Sequence, residues 1–369
     1  MRVPLVDLAW QHQQIADEVT PRIEEVMRST RFIQGPEVTE FENAFAGFCE
    51  VEHCIGVASG TDAIELALRA LGVGRGDQVI VPANSFIASA LAVLRAGAEV
   101  TLVDCDPETY LLDLDEVERA VGPEVKAIMP VHLFGQTAPV EALSEMVGDS
   151  FIVEDAAQAQ GAMRRGRPAG SLGHIAATSF YPGKNIGAYG DAGAVLTNDE
   201  ELTQRVRNLG NWGSPRKYHH PDVGFNSRLD TLQAVVLTAK LARLTEWNKL
   251  RQEAAERYHE LLEELGRVGR PRTLEDNQHA WHLYVVRIPH RDRVLAEMHR
   301  DGIGVGVHYP IPMHLQGALA SLGHRPGDFP VTESAAREML SLPMYPGITA
   351  EQQASVVESL SRALQATSE

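Results

Sequence analysis

From about residue 54 to residue 210 the hydrophobic pattern changes period again and again. No other feature constrains the fold as tightly. CIGVAS, QVIVPA, EVTLVDCD, VKAIMPVHL, FIVEDA, IAATSFY and GAVLTN read as seven strands. TDAIELALRAL, SFIASALAVLRAG, DLDEVERAV, PVEALSEMV and DEELTQRVRNL read as helices among and after them. Nearly unbroken apolar strands are buried on both faces, and strands alternating with helices build an α/β domain on a mostly parallel sheet. Ligands on such a sheet bind beyond the carboxyl ends of the strands. The residues that follow each strand are therefore the ones to inspect.

The rest of the chain reads differently. NSRLDTLQAVVLTAKLARL opens a long helix reaching about residue 265, with Leu229, Leu232, Val236 and Ala239 at helical spacing and Ser227 with Asp230 as a capping box. LGRVGRPRTLEDNQ is a polar break. AWHLYVVRI, DRVLAEMHRDG and the strand-like IGVGVHY then suggest a smaller α+β domain. In 369 residues two domains are expected, residues 1–250 with the N-terminal segment and residues 251–369. Gly302, Gly304 and Gly306 alternate along GIGVGVHY, where they let another backbone approach closely.

A net charge of -17 argues against nucleic acid or an anionic membrane as the main partner. MRVPLVDLAWQHQQ lacks the basic region and apolar core of a signal peptide, and no apolar run approaches the ~20 residues of a membrane helix. Three cysteines, Cys49, Cys54 and Cys105, suit reduced thiols in a cytoplasmic protein. Cys49, His53 and Cys54 lack the second ligand pair of a structural zinc site, so no metal is expected. PGKN fails as a phosphate-binding loop, with Thr178 at the first glycine position and Asn185 where Ser or Thr would hold magnesium. The glycines of Gly72-Val-Gly-Arg-Gly76 precede a strand and form a turn instead of a dinucleotide fingerprint. The adjacent His219 and His220 diverge, and His279 and His282 flanking Trp281 read as packed or surface residues.

Four strand ends remain. FIVEDAAQAQGA puts Asp155 at one; by itself such a carboxylate is more often a satisfied cap. A second carries Ser179 and then Lys184 in the glycine-rich SFYPGKNIGAYGDAG. A third precedes Ser59-Gly-Thr-Asp-Ala63, a helix start whose free amides and dipole suit a phosphate. VPANSF presents Phe86, either a core residue or a cover for a flat ring. Together these are what pyridoxal 5′-phosphate (PLP) requires: an amine for a Schiff base, a carboxylate for the pyridine nitrogen, a phosphate cradle and a lid. The amine must be deprotonated to react, which desolvation favours.

The motifs ASGTDAIELALRALGVGRGDQVIVPANSFIASA, VEDAAQAQGA, SFYPGKNIGAYGDAGA, KYHHPDVGFNSRLDTLQA and HYPIPMHLQ closely resemble the sugar-nucleotide aminotransferases of the DegT/StrS type. The resemblance runs along nearly the whole chain. It implies a fold-type-I PLP enzyme with a large seven-stranded domain and a small C-terminal one. It also implies Lys184 as the Schiff-base lysine, Asp155 on the pyridine nitrogen and Gln158 on the ring hydroxyl. Gly60, Thr61, Asp62 and Ser179 would hold the phosphate, and Phe86 would stack on the ring. Asn226 would reach the phosphate of the neighbouring subunit's cofactor, which implies a homodimer with shared sites. Dehydratases of the family carry histidine at the lysine position, so Lys184 implies transamination from L-glutamate, with pyridoxamine 5′-phosphate between half-reactions. One departure is Ala192, where many members have glycine. FIASALAV, KYHH and HYPIPMHLQ look most like enzymes acting on dTDP-3-keto-6-deoxyhexoses, giving dTDP-3-amino-3,6-dideoxyhexoses, with UDP-linked 3-keto or 4-keto sugars as the alternative. Lys217, Tyr218, His219, His308 and Tyr309 are the candidates for the sugar and its diphosphate. Rival readings are a dehydratase or epimerase on the same scaffold and, from another class, a non-catalytic regulator or sugar-nucleotide binding protein.

Overall fold

A computed structural model describes residues 1–367. Its central sheet holds the seven strands expected from the apolar runs: β1 (His53–Val57), β2 (Gln78–Pro82), β3 (Glu99–Val103), β4 (Val125–Ile128), β5 (Phe151–Asp155), β6 (Ile175–Ser179) and β7 (Gly193–Thr197). Their order is β1-β7-β6-β5-β4-β2-β3. From β3 across to β6 every pair is parallel. β7 alone runs antiparallel to both its neighbours. Alternate residues serve opposite faces. Val79, Val81 and Val153 pack with the helices Gly60–Ala70 and Ile87–Ala96. Ile80 and Ile152 pack with Val117, Val140 and Leu143 on the other side. Helices on both faces explain why the strand sequences lack a polar alternation.

The helix Thr231–Leu261 departs from expectation at its start. Asp230 is its N-cap but makes no side-chain cap bond, so the Ser227–Asp230 capping box does not form. Ser227 lies before the first turn and bonds elsewhere: its hydroxyl donates to Asp62 Oδ2 (2.8 Å) and accepts from the Ala58 amide (3.1 Å). The helix continues unbroken past residue 250. Val235, Val236 and Trp247 pack with Ile15 and Val19. Ala254, Ala255 and Tyr258 pack instead with Trp281, Tyr284 and Leu340. This second core surrounds the antiparallel pair β8 (Tyr284–Arg287) and β9 (Met339–Leu342) and the helices Arg291–Arg300 and Ala350–Ala366.

IGVGVHY is not a strand. It forms only isolated bridges, Ile303 to Val3 and Gly306 to Ser341. Gly304 explains the approach of the N-terminus: a Cβ there would lie 2.7 Å from the Leu5 nitrogen. Leu5 and Val6 are thereby delivered to the main cavity, which they help to line. No helix among the described residues is long and apolar enough to cross a membrane.

Candidate active site

The ends of β1, β2, β5 and β6 meet at one cavity, the loop after β2 reaching it through Ser85 and Phe86. β1 runs on into Ala58 and Ser59, and Ser59 caps the helix Gly60–Ala70 by accepting the Asp62 amide on Oγ (3.1 Å). The Ala63 amide bonds the Ser59 carbonyl (2.9 Å). Those two bonds leave the amides of Gly60 and Thr61 at the positive end of the helix dipole. Gly60 brings this terminus against β6, since a Cβ on it would sit 2.6 Å from that of Ser179.

β5 ends with two carboxylates that a strand must send to opposite faces. Glu154 is fully buried and has four donors: His132 Nε2 (2.7 Å) and the amides of Gly170 (2.8 Å), Leu172 (2.7 Å) and Gly173 (2.7 Å). Burial pushes its pKa up, but the bonds from His132, Gly173 and Gly170 outweigh that and hold it below the ordinary value. It is a structural carboxylate. Asp155 faces the cavity. Its Oδ2 accepts from the Ser89 hydroxyl (2.8 Å) and its Oδ1 from the Ala157 amide (3.2 Å).

β6 ends at Ser179, and the loop turns through a bond from the Lys184 amide to the Tyr181 carbonyl (2.9 Å). Gly187 permits the return, since a Cβ there would lie 2.3 Å from the Pro182 carbonyl oxygen. The long helix holds the far side. Lys240 Nζ donates to the Gly187 carbonyl (2.6 Å), and the Tyr189 amide donates to Gln233 Oε1 (2.8 Å). Burial lowers the Lys184 amine to about 8, against the pull of the Asp155 carboxylate.

The cavity has a volume of about 480 Å³. Of the residues named from the sequence, Gly60, Thr61, Phe86, Asp155, Gln158, Ser179, Lys184, His308 and Tyr309 line it. Phe86 is half exposed, with its ring 5.4 Å from that of Tyr309. Gln158 accepts the Phe134 amide (2.7 Å) and donates to the Tyr309 hydroxyl (3.1 Å). Burial, then the charge of Lys184, lowers the His308 imidazole to about 4. Its Nδ1 meets the Ser341 hydroxyl at 2.8 Å.

Five residues stand off the cavity wall of this chain. Asp62 turns its carboxylate to Ser227 and lies 3.6 Å from Arg95. Asn226, Lys217, Tyr218 and His219 are all exposed, Tyr218 at 85 %. Sequence reasoning overlooked Ser89 and His282. Ser89 was hidden in an apolar helix, its signal being a hydroxyl on the buried face. His282 was set aside as a packed residue, yet it lines the cavity, whereas His279 stacks on Trp281 at 3.9 Å. Cys49, Cys54 and Cys105 are buried free thiols, and no metal-binding cluster occurs among the described residues.

Residues 13–361 match the DegT/DnrJ/EryC1/StrS aminotransferase family. The chain is 44% identical to a pleiotropic regulatory protein of Geobacillus stearothermophilus, covering 98% of both chains. It is 44% identical to a dTDP-3-amino-3,4,6-trideoxy-alpha-D-glucose transaminase of Streptomyces venezuelae, covering 97% of this chain and 95% of the relative. It is 42% identical to a UDP-2-acetamido-2-deoxy-3-oxo-D-glucuronate aminotransferase of Pseudomonas aeruginosa, covering 93% and 95%. Among solved structures, S. venezuelae DesV in complex with a ketimine intermediate superposes with a TM-score of 0.96 at 44% identity over 98% of both chains. NtdA of Bacillus subtilis with bound cofactor PMP gives 0.89 at 32% identity, over 99% of this chain and 85% of that one. With a matched span from residue 13 to residue 361 and these identities over nearly full length, the chain belongs to the DegT/DnrJ/EryC1/StrS aminotransferase family.

Proposed function

We propose that this protein is a PLP-dependent aminotransferase that carries an amino group from L-glutamate to a nucleotide-linked keto sugar. The substrate we propose is a dTDP-3-keto-6-deoxyhexose, giving a dTDP-3-amino-3,6-dideoxyhexose. The observation that carries the reading is a lysine of lowered pKa, Lys184, sharing one cavity with the anchored carboxylate of Asp155 and a helix N-terminus. The donor set fits the cofactor. The Gly60 and Thr61 amides and the Ser179 hydroxyl suit a phosphate. Asp155, fixed by Ser89 and Ala157, suits a protonated ring nitrogen, and Phe86 offers a flat cover.

PLP, when bound, supplies a carbonyl for amine exchange and an electron sink. The protein supplies the rest. The lowered pKa of Lys184, about 8, leaves about a tenth of the amine unprotonated at pH 7 and half at pH 8, so the neutral form takes the proton from Cα of glutamate and returns one to the sugar carbon in the reverse half-reaction. The Asp155 carboxylate is held in place by the hydrogen bonds it accepts from the Ser89 hydroxyl and the Ala157 amide, where it would receive the ring N–H of the cofactor. The half-buried His308 and the Tyr309 hydroxyl face the same space and are placed to receive sugar hydroxyls. Asn226, Lys217, Tyr218 and His219 are exposed here, which supports a homodimer in which they serve the partner's cavity.

The similarity to a UDP-sugar aminotransferase favours a UDP-linked 3-keto sugar as the second reading, and that to a regulatory protein keeps a non-catalytic role in play. One experiment separates the three. Protein loaded with PLP is mixed with L-glutamate while the visible absorbance and released 2-oxoglutarate are followed. The aminated protein is then offered dTDP- and UDP-linked 3-keto and 4-keto sugars. Bleaching with stoichiometric 2-oxoglutarate, then return of the band with the dTDP-3-keto sugar, is expected. A protein that takes up no PLP would leave only the regulator.

A further inference from the structure

Asn185, next to Lys184, is fully buried and hydrogen-bonds to three separate parts of the chain. Its Nδ2 donates to the Ala280 carbonyl (2.8 Å) and to Asn248 Oδ1 on the long helix (2.9 Å). Its Oδ1 lies 3.3 Å from His282 Nδ1. The orientation of this amide is fixed from both ends. The Ala280 carbonyl can only accept, so the NH2 of Asn185 must point there. Asn248 is fixed in the same way, because its Nδ2 donates to the Gln160 carbonyl (2.8 Å) and leaves Oδ1 for Asn185. Oδ1 of Asn185 therefore faces His282 and can only accept, so Nδ1 of His282 must carry a proton.

The other nitrogen, Nε2, has no hydrogen-bond partner among the described residues, and the His282 ring lines the cavity that holds Lys184. Burial, followed by the charge of Lys184, holds His282 far below its ordinary pKa, so it stays neutral. A neutral ring with its proton on Nδ1 leaves a lone pair on Nε2.

We infer that Asn185 is a positioning residue that fixes the Lys184 backbone and locks His282 as the neutral Nδ1–H tautomer, whose Nε2 then serves as a hydrogen-bond acceptor inside the cavity. The site thereby gains an acceptor that reads an N–H or O–H of the amino donor, the sugar or Lys184 itself. The orientation reaches it through two backbone carbonyls and two amides, with no ionised group in the chain. The role of Lys184 rests on the functional reading above; the tautomer does not.

Two readouts test it. The first uses cofactor-free protein labelled with 15N-histidine, with His282 assigned by the signals lost in His282→Gln. A protonated Nδ1 and an unprotonated Nε2 are expected in the wild type at neutral pH, and Asn185→Ala is expected to shift His282 toward the Nε2–H form. A wild-type His282 that is Nε2–H or doubly protonated overturns the inference. The second readout is the rate at which added PLP becomes fixed to Lys184 on borohydride reduction, followed by peptide mass. Asn185→Ala is expected to slow it by about tenfold or more, because a displaced lysine loses its aligned approach. Asn248→Ala acts on the same amide from outside and is expected to slow it less, which keeps the test open if Asn185→Ala fails to fold. Unchanged capture in both variants overturns the positioning role. If the wild type captures no PLP, the functional reading fails while the tautomer result still stands.

Discussion

The amine of Lys184 provides the sharpest quantitative expectation. Burial lowers its pKa from 10.5 to about 8. At pH 8 half of such an amine is neutral, whereas an unshifted lysine would be about 0.3% neutral, a difference of about 150-fold in reactive form. The perturbation is pH alone, applied to cofactor-free protein. A trace of acetic anhydride is added at half-unit steps from about pH 6 to 10.5, and acetylation of each lysine is read by peptide mass spectrometry. The chain has only five lysines, and the exposed Lys217 and Lys249 gauge the reagent in every sample. Labelling of Lys184 should climb about tenfold per unit up to about pH 8 and level off above it. Levelling only beyond pH 10 would show that the cavity leaves the ammonium well solvated. The argument for a base available near pH 8 would then be lost.

Three further expectations share this footing. Lys184→Ala should abolish multiple turnover while leaving PLP uptake measurable by absorbance; near-normal turnover would remove Lys184 from the mechanism. Lys184→Met should stabilise the protein at pH 7 by about 2 kcal/mol after allowance for partial exposure. Between about pH 8 and 10.4 the unfolded chain binds more protons than the folded one, so wild-type stability rises with pH there and the gap to the variant should close; a constant gap in urea melts refutes it. Glu154→Gln sets an NH2 group against two of four inward-pointing donors and should cost about 3 kcal/mol, visible as a lower urea midpoint. The Glu154 contribution is present above the unfolded carboxyl pKa near 4.3 and is lost as pH falls through its lower folded value, so the two proteins should converge in acid.

Legibility in the sequence followed how local the cause was. The sheet was readable because burial on both faces leaves nearly unbroken apolar runs; six of the seven strands fall within them and β1 starts one residue before its run. The place of Lys184 and Asp155 at the cavity was readable because strand ends are where α/β sheets bind ligands; Asp155 is the last residue of β5 and Lys184 follows β6 within a few residues. The failures involve partners far away in the chain. Ser227 had the spacing of a cap, but its hydroxyl is taken by Asp62, 165 residues earlier, and the helix starts later as a result. IGVGVHY had strand composition, but its glycines serve the N-terminal segment, so it pairs only in isolated bridges. His282 was the most instructive miss. Nothing near it in sequence distinguishes it from His279, three residues away, and both are neutral and buried. The difference lies in what each ring nitrogen faces. His279 Nδ1 accepts the Trp281 amide (2.8 Å), a bond within its own turn, and the ring stacks on that tryptophan. His282 Nδ1 meets an asparagine 97 residues away, beside the lysine of the site. A residue whose role is set by which of its two nitrogens is occupied cannot be assigned from spacing. It becomes assignable once two backbone carbonyls fix the amides between them, and that is why the histidine carries a testable tautomer.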